Sequence, residues 1–169
     1  MSNDWSNSLK QTLANLRINK PPRIAIIGIG QELRGDDALG PMIVQLLKPR
    51  LMGKTSVLIL DGGQSPENQT GALRRFVPDL VILIDAAQMN TTNGEVRWLP
   101  LQQLDGLSAS THTQPLSMIA QYLNTELGCE IALIGIQPTQ MMFGTDLSPE
   151  IQEALKNVVE GITTDLLDS

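Results

Sequence analysis

The chain has 169 residues, 41% hydrophobic and 18% charged, the size and make-up of one globular domain with its own core, which excludes a disordered or fibrous chain. Twelve basic against eighteen acidic residues leave a net charge of −6, the wrong sign for a nucleic-acid backbone or an anionic membrane, and 3% aromatics give little on which to stack bases. Cys129 is the one cysteine, so no intrachain disulfide is possible; with no signal-peptide pattern and no apolar run near the ~18 residues of a membrane span, the expected compartment is the reducing cytoplasm.

Residues 1–20 read as a helix. Trp5, Leu9, Leu13 and Leu16 fall at helical spacing, Asn3 or Asp4 can cap it, and Lys20-Pro21-Pro22 breaks the pattern. Residues 1–22 are thus expected to be a helical extension packed on the surface of a single domain spanning 23–169. That domain opens with Ile24-Ala25-Ile26-Ile27, an apolar run closed by Gly28-Ile29-Gly30. Continuous apolar runs suit strands covered on both faces, as in parallel sheets.

The pattern repeats at Val57–Leu60 before Asp61-Gly62-Gly63, at Leu80–Ile84 before Asp85, and at Ile131–Ile136 before Gln137-Pro138. Helical segments lie between, at 38–51, after Ser65-Pro66-Glu67, at 114–127 and at 149–167, the last entered through Ser148-Pro149-Glu150. A weaker strand is expected at Glu95–Leu99. Alternating strands and helices predict a three-layer α/β/α fold with a twisted, mostly parallel sheet.

In open α/β sheets, ligands bind beyond the carboxyl ends of the strands. Asp36 and Asp37 lie in the loop after the first strand, Asp61 ends the second, and Asp85 ends the third. His112, the only histidine, precedes a helix in Ser110-Thr111-His112-Thr113. Two carboxylates and an imidazole from different loops can converge on one cation such as Zn, Ni, Mn or Fe, with coordination positions left open. Taken singly, each Asp also suits a cap or a turn.

Gly28-Ile29-Gly30 could open a dinucleotide fingerprint, but Leu33 stands at the third glycine and two acids follow, which would repel phosphate. Cys129 starts a strand, at the edge opposite the acids, and reads as a packed residue rather than a nucleophile paired with His112.

These residues resemble a known family. Gly28-Ile29-Gly30, Gly35-Asp36-Asp37 and Gly40, then Leu60-Asp61-Gly62-Gly63, Pro66-Glu67-Asn68, Ile84-Asp85-Ala86 with Met89, Gly94-Glu95, Ser110–Leu116 and Gly135-Ile136-Gln137-Pro138 are similar to the motifs of the [NiFe]-hydrogenase maturation proteases. The Gly-Asp-Asp, Pro-Glu-Asn and Thr-His segments look most like the branch that processes hydrogenase 3. The N-terminal helix is the one departure from the family's pattern.

The resemblance implies an endopeptidase that removes the C-terminal peptide of a hydrogenase large-subunit precursor after nickel insertion. It implies that Asp37, Asp85 and His112 bind nickel brought by the substrate, a site Zn2+ or Cd2+ could also occupy, and that Asp37 or Asp85 serves the hydrolysis. Asp36 and the turn Asp61-Gly62-Gly63 would shape the substrate cleft. No organic cofactor, nucleic acid or membrane partner is expected, and the oligomeric state is open. A non-enzymatic, nickel-carrying accessory protein of hydrogenase assembly would use the same ligands, and a nucleotide-binding module is the remaining alternative.

Overall fold

The computed structural model describes residues 4–107 and 114–169. Five strands, β1 (Ile24–Ile29), β2 (Val57–Gly63), β3 (Leu80–Ala86), β4 (Val96–Pro100) and β5 (Glu130–Ile136), form one sheet in the order β2-β1-β3-β5-β4. The pairs β1–β2, β1–β3 and β3–β5 are parallel, and β4 runs antiparallel along the edge of β5. β1 and β3 are buried along their whole length, which is why they read as unbroken apolar runs. β4 is half-buried and its apolar run is interrupted by the exposed Arg97, which is why its sequence signal is weak.

Among the described residues, five α-helices cover the sheet: α1 (Asp4–Leu16), α2 (Leu39–Arg50), α3 (Thr70–Phe76), α4 (Leu116–Leu127) and α5 (Pro149–Leu167). One face carries α1, α2 and α5, whose Leu9, Ile43 and Val158 share a core with Ile26, Ile82 and Ile134. The other face carries α3 and α4, whose Leu73, Ile119 and Leu123 pack on Ile27, Leu83 and Leu133. The period-two alternation of each strand feeds the two cores. The layers are those expected.

α1 sits deeper than a surface appendage. Trp5, Leu9 and Leu13 are buried in the same core as α2 and α5. Gly161 of α5 makes room for the indole, since a Cβ there would stand 2.6 Å from Cη2 of Trp5. The Ser6 hydroxyl donates to the buried Asp165 carboxylate at 2.9 Å, and Lys10 lies 3.6 Å from the same group. The helix also lies against β4, whose Val96 and Trp98 pack on the same core. No helix among the described residues is long and apolar enough to cross a membrane.

Candidate active site

The acidic candidates gather where the parallel strands end. After β1 the chain turns through Gly30 and makes a 3₁₀ turn at Gly35–Ala38 before α2. Two glycines bring this turn onto the sheet. Gly30 has φ +146°, and a Cβ on it would stand 1.8 Å from the carbonyl oxygen of Asp37. A Cβ on Gly40 would stand 2.2 Å from the Ile29 carbonyl oxygen and 2.6 Å from that of Ile84. Only glycine allows this approach, and it sets Asp37 over the ends of the neighbouring strands β1 and β3. The room beside Gly30 is taken by the Asp37 main chain.

Asp36 and Asp37 are adjacent in sequence and both buried, at 0% and 1% exposure, yet they are held by different parts of the molecule. Asp36 takes four donors from a distant loop: the N–H groups of Thr139 (2.8 Å), Gln140 (2.9 Å) and Ser148 (2.7 Å), and the Ser148 hydroxyl (3.0 Å). Its own N–H donates to the Gln140 carbonyl at 3.0 Å. The carboxylate is fully engaged as a clasp between residues 35–37 and 139–148. Asp37 instead accepts from the Gln31 N–H at 2.9 Å, beside the cleft. A carboxylate with one backbone donor keeps acceptor capacity for a further partner.

Asp85 lies one residue before the end of β3 and is wholly buried. Leu83 and Ala87 belong to the core under α3 and α4, and Ile84 and Ala86 to the other. Alternation therefore puts the Asp85 side chain on the α3/α4 face. His112 lies outside the described residues; α4, which begins four residues after it at Leu116, packs on that same face. Among the described residues, no group of three His, Cys, Asp or Glu side chains could hold a metal ion.

Asp61 is exposed at the end of β2. Its Oδ1 accepts from the Gly63 N–H at 3.0 Å, closing a local turn, and its carbonyl accepts from Gln69 Nε2 at 3.2 Å. Asp61 and Gly63 line an open cleft of about 440 Å³ together with Gly30, Gln31 and Leu33. Gly62 is buried behind it against Ile27. Ser65 makes no side-chain cap, and Pro66 opens a 3₁₀ turn rather than an α-helix. Cys129 precedes β5 at the opposite end of the sheet, buried, with its thiol pushed up to about 11 by burial and, less, by the charges of Asp79 and Glu130.

The sequence did not single out Ser148 or Gln137 as working side chains. Ser148 stands at the N-cap position of α5, but its hydroxyl makes no cap bond and donates to Asp36 instead. Gln137 is buried at 3% exposure and holds the chain that follows Asp85. Its place in the Gly135-Ile136-Gln137-Pro138 motif was the only signal available.

Comparison with known proteins agrees with this architecture. The HycI hydrogenase maturation protease family model matches residues 41–165. The hydrogenase 3 maturation protease of Escherichia coli K12 is 29% identical over 136 residues, 80% of this chain and 85% of that protein. The crystal structure of the [NiFe] hydrogenase maturation protease HycI from Thermococcus kodakarensis superposes with TM-score 0.80 and 35% identity, covering 92% of this chain and 98% of its own. That coverage of this chain reaches past residue 23 into the N-terminal segment. The crystal structure of a hydrogenase 3 maturation protease matches with TM-score 0.70 and 26% identity over 82% of this chain and 88% of its own. With the family model, the fold and most of the length in common, the chain belongs to the HycI family of hydrogenase maturation proteases.

Proposed function

We propose that this protein is the endopeptidase that removes the C-terminal peptide of a [NiFe]-hydrogenase large-subunit precursor, and that Asp37, Asp85 and His112 read the nickel the precursor carries. The observation that carries this reading is the pair of buried carboxylates. Asp37 and Asp85 come from different elements, are 1% and 0% exposed, and both lie at the carboxyl-end edge of the adjacent parallel strands β1 and β3. Buried carboxylates are kept at such an edge where hydrogen bonds or a cation offset the cost of their burial, and a nickel ion on the substrate is the cation this reading supplies.

A carboxylate–imidazole set binds a thiolate-held nickel weakly on its own and completes its coordination when the precursor supplies the remaining ligands. Recognition of a loaded over an empty precursor is then a difference in affinity. In the hydrolysis, Asp37 or Asp85 takes a proton from the attacking water, whose oxygen bonds to the scissile carbonyl carbon; the departing amine nitrogen receives a proton as the C–N bond breaks. Nickel on the substrate would supply Lewis acidity to that carbonyl or water.

The test is cleavage of nickel-loaded precursor followed by intact mass. His112→Ala and Asp85→Asn are expected to abolish processing while keeping the wild-type circular dichroism spectrum, and Asp85→Asn to weaken Ni2+ binding in calorimetry. Wild-type binding without any cleavage would favour the nickel-carrying accessory role. Normal cleavage by both variants would refute the assignment of the site.

A further inference from the structure

We propose that Gln137 is a positioning residue for the cleavage reaction: its buried amide fixes the chain after Asp85 and, through it, the thioether of Met89 beside the Asp85 carboxylate. This rests on Asp85 belonging to the site. Gln137 follows β5 directly. Its Oε1 accepts from the Met89 N–H at 2.7 Å and the Thr91 N–H at 3.5 Å, and its Nε2 donates to the Gln88 side-chain oxygen and, at 3.4 Å, to the Pro138 carbonyl. The main chain of the same residue accepts from Gly94 N–H at 2.8 Å and donates to the Glu95 carbonyl at 3.0 Å. Residues 88–91 are therefore held by the Gln137 side chain, and residues 94–95 by its main chain.

Gly135 shows what that wrapping places. A Cβ on Gly135 would stand 3.1 Å from Met89 Sδ, so the thioether fills the space left by the absent side chain. Gly135 is the register partner of Asp85 in the β3–β5 pair. Paired residues of adjacent strands share a face, so Met89 Sδ lies on the Asp85 side of the sheet, one strand over. The path from the Gln137 amide to the surroundings of Asp85 is two contacts long. A loop whose only task was connection could leave its N–H groups to water. Here a buried side chain takes them, at the sheet end where the substrate must arrive.

The experiment compares wild type, Gln137→Ala, Gln137→Glu, Met89→Ala, Gly135→Ala and Asp85→Asn. It measures cleavage of nickel-loaded precursor by intact mass at varied concentration, and amide exchange of residues 88–94 by mass spectrometry. Gln137→Ala is expected to speed exchange in that segment and to lower kcat about ten- to a hundredfold, the loss a misplaced group produces, with KM changed less than about threefold. Gln137→Glu keeps the acceptor for Met89 but not the donor to Gln88 and Pro138, and is expected to restore part of the protection and part of kcat relative to Gln137→Ala. Gly135→Ala, which pushes the thioether and leaves the Gln137 bonds in place, is expected to lower kcat with exchange unchanged.

Fast exchange in Gln137→Ala with unchanged kcat would overturn the proposal, as would a protected but inactive Gln137→Glu. Should Gln137→Ala fail to fold, normal kcat in both Met89→Ala and Gly135→Ala would overturn it. Normal cleavage by Asp85→Asn would remove the Asp85 site itself, and the proposal with it.

Discussion

Asp36→Asn tests whether the acidic turn is held by the distant loop that clasps it. Three of the four donors to Asp36 converge on Oδ2, from Thr139, Gln140 and the Ser148 hydroxyl, and the Ser148 N–H serves Oδ1. Asparagine keeps one oxygen. Placed at the Oδ2 position, that oxygen retains three bonds but loses the charge assistance, about 1 kcal/mol each. The amide NH2 then faces the buried Ser148 N–H, which costs about 1–3 kcal/mol more. Allowing for relaxation and non-additivity, about 3–5 kcal/mol is expected.

At about 2–4 °C per kcal/mol for a domain of this size, the Tm in a circular-dichroism melt should fall by about 6–20 °C. The variant should still fold at room temperature, since a domain has about 5–15 kcal/mol to lose. Ser148→Ala removes only the hydroxyl donor and should cost about 1 kcal/mol. A Tm for Asp36→Asn within about 2 °C of wild type would refute the clasp, because the buried bonds it removes are worth more than that shift.

Two further outcomes are expected elsewhere in the fold. Gly161→Ala should gain up to about 1 kcal/mol of helix propensity but force Trp5 out of its slot, where its Cη2 lies 2.6 Å from the new Cβ; loss of a buried Trp costs about 3–5 kcal/mol. The melt should therefore shift down and the fluorescence to the red, and a raised Tm would show that α1 is not seated on α5. The Cys129 thiol, raised to about 11 by burial, should resist iodoacetamide at pH 8 in the native protein and react on unfolding. Because its folded pKa lies above the unfolded value of about 8.5, the unfolded chain loses the proton first, so stability should fall as pH rises across that window; a native thiolate at pH 8, seen by its ultraviolet absorbance, would contradict this.

The sheet was readable because β1, β3 and β5 are covered on both faces and the half-buried edge strand β2 still carries an unbroken apolar run. Ile24–Ile27, Val57–Leu60, Leu80–Ile84 and Ile131–Ile136 each lie within a strand of the structure. The last helix, Pro149–Leu167, matches its expected bounds because Ser148-Pro149-Glu150 marks the start and the apolar stripe runs to the end. The antiparallel direction of β4 and the seating of α1 in the core were not readable, because both depend on contacts distant in sequence.

The same limit applies to the acidic turn. Asp36 and Asp37 carry identical chemistry one residue apart, and only the donors from residues 139–148, more than a hundred positions away, separate the clasping acid from its neighbour, which accepts from Gln31. The space beside Gly135 that Met89 fills has no local signature either, since glycine in a strand commonly marks only a close approach by something else.

The most direct measurement mixes the purified protein with two preparations of one large-subunit precursor, nickel-loaded and nickel-free, and follows the intact mass of each. The loaded precursor should lose its C-terminal peptide and the empty one should not. Equal cleavage of both would contradict nickel recognition, and cleavage of neither would contradict the protease assignment.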